Sequence, residues 1–329
     1  MKKAGRLAAA VFAAMLLVTG CGAPAEKKAV ETTPEQSSKI EQKEEAKNLK
    51  DAFKKDFKVG VAINPYQLKD EETKKIILEN FNSITMENGM KPEAILDQRA
   101  SENSKDGMPA INEENLAECL SLAKDNGLVL RGHCLVWHNQ TPEWFFCEKY
   151  DAGNAKVNKE TMKKRMESYI KKVLSFCQEK YPGVVYAWDV VNEACDDGGG
   201  YRTSSLWYEI YGDESYIEDA FTFARKYADK DVKLFYNDYN EYMPSKVSTI
   251  AELVKKLYDK KLIDGVGFQS HWDMNYPDTG MISDAMQKYS EIGDLEIQFT
   301  EVDMHNTDDS EEGLKKLADR YKEFFEMIV

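Results

Sequence analysis

The stretch Val184-Val185-Tyr186-Ala187-Trp188-Asp189-Val190-Val191-Asn192-Glu193 decides how this 329-residue chain folds. It is apolar on both faces for most of its length, as a strand buried in a parallel sheet is, and it then delivers an amide and a carboxylate at its C-terminal end. The same ending recurs along the chain. Met86-Glu87-Asn88 closes Ser83–Met86, and His133 to His138 closes Leu128–Trp137. Asn237-Asp238-Tyr239 closes Val232–Asn237, Gln269-Ser270-His271 closes Gly265–Gln269, and Glu301-Val302-Asp303 follows Leu295–Thr300. Val59–Ile63 is a further expected strand.

Between these strands the apolar residues repeat at helical spacing. Met162, Met166, Tyr169, Val173 and Phe176 make one stripe. Val247, Ile250, Val254 and Leu257 make a second behind an expected N-cap at Ser245, and Leu314, Leu317, Tyr321, Phe324 and Ile328 make a third. Asn112 to Asn126 reads as a helix closed by Gly127. Strands and helices in strict alternation fit a doubly wound sheet or a (β/α)8 barrel. A nucleotide-binding sheet calls for a glycine-rich loop after the first strand, where Gly60 stands alone. Several strands that bring polar and aromatic groups to one rim describe a barrel enzyme. The expected fold is therefore α/β, a (β/α)8 TIM barrel with only seven βα units in this chain, occupying 51–329.

With 42% hydrophobic and 31% charged residues the chain is neither disordered nor membrane-spanning in character. A formal net charge of -14 argues against nucleic acid as a partner, whereas a neutral polymer is indifferent to it. The first residues stand apart from the fold. Lys2, Lys3 and Arg6 precede an apolar run from Leu7 to Val18 that ends in Val18-Thr19-Gly20-Cys21, the pattern of a bacterial lipoprotein signal over 1–20. Cys21 is the expected lipidation site, and 21–50, rich in Glu, Lys, Gln, Ser and Ala, is the expected flexible tether. A membrane-anchored protein facing outside the cytoplasm follows. Cys119, Cys134, Cys147, Cys177 and Cys195 remain, an odd number with no CxxC pair, so neither a zinc site nor a full disulfide framework is indicated. Cys119 and Cys177 fall on apolar helix faces as small core residues.

Glu193 and Glu301 are the two carboxylates that matter. An acid at the end of a buried strand is costly unless paired. A structural ion pair or a helix-terminal acid explains one of them, but two, on separate strands and both flanked by polar residues, fit glycoside hydrolysis. That reaction needs one carboxyl to protonate the leaving oxygen and another to attack, or to activate water, beneath the ring. Here the residues become recognisable. Trp188-Asp189-Val190-Val191-Asn192-Glu193-Ala194 and Phe299-Thr300-Glu301-Val302-Asp303 closely resemble the two signatures of glycoside hydrolase family 10, the barrel endo-β-1,4-xylanases. Thr85 to Lys91, Arg131 to Gln140, Asn237 to Asn240 and Gly267 to His271 match further blocks of that family in the same order.

The resemblance implies Glu193 as acid/base and Glu301 as nucleophile of a retaining reaction on xylan or xylo-oligosaccharides. It places Asn192 on the 2-hydroxyl of the sugar being cleaved and His271 beside Glu301, with Asp303 behind His271. Glu87, Asn88, Lys91, His133, Trp137, Gln140 and Gln269 would line the non-reducing-side subsites, and Tyr239 the leaving-group side. Structural alternatives stand beside these roles: an i,i+4 ion pair for Glu87 and Lys91, barrel core for Trp137, and a satisfied structural histidine at His271. His133 and His138, five apart, would face opposite ways on a continuous strand, and no HExxH occurs, so no metal and no cofactor is expected. The family resemblance also implies an eighth strand and tryptophans after the last helix. No Trp follows Trp272 here, and a C-terminally incomplete barrel is the expectation. A monomer is expected. Competing readings are a β-1,4-glucanase of a related barrel family, an inactive carbohydrate-binding lipoprotein and a solute-binding lipoprotein.

Overall fold

The computed structural model describes residues 48–329. The signal segment, Cys21 and the tether up to residue 47 lie outside the described residues. Leu49 and Lys50, assigned above to the tether, instead form the start of a short helix, Leu49–Ala52, capped by the Asn48 side chain.

Seven parallel strands build one sheet in chain order: β1 (Gly60–Ile63), β2 (Ser83–Met86), β3 (Val129–Trp137), β4 (Val185–Asn192), β5 (Lys233–Asp238), β6 (Gly265–Phe268) and β7 (Glu296–Phe299). Each is followed by a main helix: α1 (Glu71–Asn80), α2 (Glu113–Asp125), α3 (Lys159–Lys180), α4 (Ser215–Tyr227), α5 (Pro244–Asp259), α6 (Thr279–Ser290) and α7 (Glu311–Ile328). This is the architecture of a (β/α)8 barrel with seven units among the described residues. Among the described residues β1 pairs only with β2 and β7 only with β6. The five inner strands, β2 to β6, read correctly from sequence because both of their faces are covered, so their apolar runs are nearly continuous, whereas β1 and β7 at the ends of the sheet are only partly buried.

Register sets the site. Trp137 on β3 lies opposite Asn192 on β4, Asn192 opposite Asn237 on β5, Asn237 opposite Gly267 on β6, and Gly267 opposite Gln298 on β7. One row of residues at the C-terminal strand ends therefore runs across five neighbouring strands. Gly267 is required there: a Cβ would stand 2.3 Å from Asn237 Oδ1.

The helices hold the sheet through the faces the spacing marks. Met162, Met166, Tyr169 and Val173 of α3 are buried, with Phe176 half-buried. Val247, Ile250, Val254 and Leu257 of α5 are buried too. Asp70, Asn112, Asn158, Asp278 and Ser310 cap α1, α2, α3, α6 and α7, each accepting a backbone N–H from the first turn. Such caps contribute about 0.5–2 kcal/mol apiece. Gly127 ends α2 with φ +68°, a conformation natural to glycine.

Two expectations for the helices fail. Ser245 is not the cap of α5: Pro244 occupies the first helical turn, so the helix starts one residue earlier, and Ser245 Oγ donates instead to the Asp197 carbonyl at 2.9 Å. Leu314 of α7 is 51% exposed, because the buried face of that helix is centred on Phe324. The five cysteines of the described residues are free and buried. Burial raises the thiols of Cys119 and Cys177 to about 11 and about 12, which suits inert core positions. No helix among the described residues is long and apolar enough to cross a membrane.

Candidate active site

Glu193 leaves the end of β4 with a left-handed backbone, φ 55°, which turns its side chain over the strand ends. Its carboxylate accepts three hydrogen bonds: Trp137 Nε1 to Oε2 at 2.9 Å, and Gln269 Nε2 and Asn192 Nδ2 to Oε1 at 3.0 and 3.3 Å. Glu301 stands just beyond β7. Asn237 Nδ2 donates to its Oε1 at 2.9 Å, and His271 Nε2 lies 3.4 Å from its Oε2.

Amide side chains connect the two carboxylates. The second hydrogen of Asn237 Nδ2 goes to Asn192 Oδ1 at 2.9 Å, and Gln269 Nε2 reaches the same oxygen at 3.1 Å. Thr300 Oγ1 donates to Asn237 Oδ1 at 2.7 Å, which fixes the orientation of that amide. Asn192, Asn237 and Gln269 are buried, so each link is shielded from competing water.

On the outer side, His271 Nδ1 lies 2.7 Å from Asp303 Oδ2, making a chain Asp303–His271–Glu301. The hydrogen bond to Glu301, against partial burial and with Asp303 assisting, lifts His271 to about 9. Burial would raise Glu301, but the His271 hydrogen bond, the pull of His133 and the Asn237 amide together outweigh it and bring Glu301 down to about 2. Glu301 is thus an ionised carboxylate next to a cationic imidazole, as a nucleophile requires.

A buried ion cluster lies beneath. Asp189 accepts from Arg131 and lies 3.0 Å from His133 Nδ1. His133 therefore meets the site with one nitrogen committed to Asp189. β3 ends at Trp137, so His138 leaves the strand and packs edge-on against Trp137 at 6.1 Å, away from the alternation that a continuous strand imposes.

The remaining expected residues fall into two groups. Lys91 Nζ sits 5.3 Å from the Trp137 ring and donates to Asn88 Oδ1 at 3.2 Å, while Gln140 Nε2 reaches Asn88 and Glu93. Lys91 thus pairs with Asn88 and Trp137 rather than with Glu87, whose side chain is exposed with no partner among the described residues. Trp137, 9% exposed, spends its N–H on Glu193. Across the strand order from this group, the Tyr239 hydroxyl accepts from Arg202 at 3.1 Å and its ring lies 3.5 Å from Lys246 Nζ.

Sequence reasoning gave no role to Asn237, Asp189, Arg202, Tyr236 or Asp238. For Asn237 the signal was present, since an amide ending a buried strand must find partners. Among the described residues no group of three or more His, Cys, Asp or Glu side chains could hold a metal.

The family model described as glycosyl hydrolase family 10 matches residues 48–329. The chain is 48% identical to endo-1,4-beta-xylanase B of Butyrivibrio fibrisolvens, over 85% of this chain and 44% of that protein. It is 36% identical to an endo-1,4-beta-xylanase of Geobacillus stearothermophilus, over 85% of this chain and 82% of that one. A crystal structure of the catalytic and carbohydrate-binding modules of a Clostridium thermocellum endo-1,4-beta-D-xylanase, complexed with xylohexaose, superposes with a TM-score of 0.77 at 40% identity, covering 85% of this chain and 57% of that one. The chain thus spans under half the length of the Butyrivibrio relative.

Proposed function

The chain belongs to glycosyl hydrolase family 10, and on that premise we propose that it is a retaining endo-β-1,4-xylanase that cuts internal bonds of xylan by double displacement. The observation that carries this reading is the pair Glu193 and Glu301, brought from β4 and β7 to one rim and joined through Asn192, Asn237 and Gln269. Glu301, held ionised by His271 and Asn237, attacks the anomeric carbon while Glu193 gives a proton to the departing glycosidic oxygen. The sugar is then esterified to Glu301. Glu193, now a carboxylate, takes a proton from water, which attacks the same carbon and frees Glu301. Asn192 sits between the two carboxylates, where it can bind the 2-hydroxyl of the sugar being cleaved. The group around Asn88, Lys91 and Gln140 offers polar partners on one side, and Tyr239 on the other.

Reducing-sugar release from xylan, with Glu301→Ala as control, tests the activity, and proton NMR of the first product tests the mechanism. Two inversions at one carbon predict β-anomer before mutarotation. Initial α-anomer would remove Glu301 as nucleophile.

Two finer readings belong to the same proposal. The basic start, the apolar run and Val18-Thr19-Gly20-Cys21 support a lipid-anchored surface protein modified at Cys21, which metabolic labelling with a fatty-acid analogue and a Cys21→Ala control would test. The single-sided pairing of β1 and β7 supports an eighth βα unit that would lie between them. Thermal melts of 48–329, alone and with a family-like C-terminal extension, test that; equal melting temperatures would count against it.

A further inference from the structure

Glu193 is a non-glycine residue in the left-handed region, and such a backbone persists only where its surroundings fix it. Glu193 N donates to Asn237 O at 2.9 Å, and Arg202 Nε donates to Glu193 O at 3.1 Å. The next two backbone N–H groups, of Ala194 and Cys195, both donate to one atom, the hydroxyl oxygen of Tyr236, at 3.0 and 3.0 Å. That hydroxyl passes its own hydrogen to Asp238 Oδ2. Asp238 Oδ1 in turn accepts from Lys246 Nζ at 2.9 Å and from the Tyr239 N–H at 2.9 Å. Tyr236, Asp238 and Lys246 are all fully buried.

The Tyr236 hydroxyl is therefore saturated. Two donors fill its lone pairs and Asp238 takes its proton, so it has one orientation and no hydrogen-bonding capacity left for anything else. Tyr236 projects from β5, the neighbour of the strand that carries Glu193, and grips the chain where it turns away from β4. A phenylalanine would leave the ring in place and release both N–H groups.

We propose that Tyr236 is a positioning residue for the acid/base Glu193: its hydroxyl, locked by Asp238 and Lys246, clamps the Ala194 and Cys195 amides and so holds the left-handed turn that aims the Glu193 carboxyl at the leaving oxygen. The inference rests on the role of Glu193 given above. It acts on proton donation to the leaving group and leaves Glu301 attack untouched, which makes it separable from a general effect on folding.

The experiment uses the full chain with Tyr236→Phe and compares kcat/KM, which covers binding and glycosylation but not deglycosylation, on aryl β-xylobiosides of rising leaving-group basicity and on xylan. A displaced acid should cost roughly 10- to 100-fold on phenyl xylobioside and xylan, against less than about threefold on a dinitrophenyl leaving group that departs without protonation. Active sites are counted by labelling Glu301 with a 2-fluoro glycoside, so loss of folded protein does not enter the comparison. Equal losses across the series, or no loss, overturn the proposal. If Tyr236→Phe does not fold, Asp238→Asn, which removes the carboxylate that takes the Tyr236 hydrogen, is judged by the same leaving-group dependence. A wild-type chain that cleaves none of these substrates, even when carrying the family-like C-terminal extension, would instead refute the xylanase reading itself.

Discussion

His271 Nε2 lies 3.4 Å from Glu301 Oε2 while its Nδ1 lies 2.7 Å from Asp303 Oδ2. The imidazole is gripped by a carboxylate at each nitrogen, which favours the doubly protonated ring and in turn the ionised form of Glu301. With Glu301 at about 2, this carboxylate, the proposed nucleophile, is charged across any ordinary working range.

Replacing His271 by Gln removes the leading influence that holds Glu301 down and leaves burial, which pushes it up. The acid limb of kcat/KM on an activated aryl glycoside should then move upward by about one pH unit or more. A limb that stays where it is in the wild type would show that His271 does not set the ionisation of Glu301.

The same pair governs stability, with opposite signs at its two ends. His271 is raised from 6.5 to about 9 on folding, so its contribution is complete below about 6.5 and disappears as pH rises through about 9. Glu301 is lowered from 4.5 to about 2, so its contribution is complete above about 4.5 and disappears as pH falls through about 2. The melting temperature of the wild type should fall more steeply than that of His271→Gln between about pH 6.5 and 9. Parallel curves would contradict the assignment.

The two glutamates should separate chemically. Glu193→Ala should cripple xylan cleavage yet spare glycosylation by substrates with acidic leaving groups, and azide should restore turnover by attacking the glycosyl-enzyme without base help. Glu301→Ala should lose both substrates because no ester can form. An equal loss on both substrates in the Glu193 variant would remove it as acid.

Asn237→Ala deletes the hydrogen bond to Glu301 and the link to Asn192 together. A hydrogen bond to a charged group contributes about 1.5–3 kcal/mol, so kcat/KM should fall roughly 10- to 100-fold. In contrast to Tyr236→Phe, the loss should be the same for every leaving group, since it weakens attack rather than protonation. Gly267→Ala should damage the same link from outside, as its Cβ meets Asn237 Oδ1 at 2.3 Å; overpacking of this kind costs about 1–3 kcal/mol, visible in a thermal melt.

The inner strands and the main helices were legible because burial on two faces or along one stripe leaves a trace in the chain, and the half-buried β1 and β7 were legible from their short apolar runs. Glu193 and Glu301 were legible for the opposite reason, as charges where an apolar run demands none. What could not be read was contact at long range. Asn237 meets residues 45 and 64 positions away, and nothing in local spacing reports a register across β4, β5 and β7. Ser245 misled because its hydroxyl has the chemistry of a cap, while Pro244 before it had already set the first turn. Leu314 misled because the stripe continues in sequence past the point where the sheet needs covering. Tyr236 gave no warning at all: inside an apolar strand it looks like one more aromatic core residue until its hydroxyl is found to hold the turn after Glu193.

The links between Glu193 and Glu301 are carboxamides, and a carboxamide neither gains nor sheds a proton in water near neutrality. The bridge through Gln269, Asn192 and Asn237 therefore offers each carboxylate fixed partners but insulates against proton flow. An acid or a histidine in its middle would give the two groups a shared path for protons. Built as it is, the bridge keeps the protons of the two groups separate, as the proposed division into acid/base and nucleophile needs.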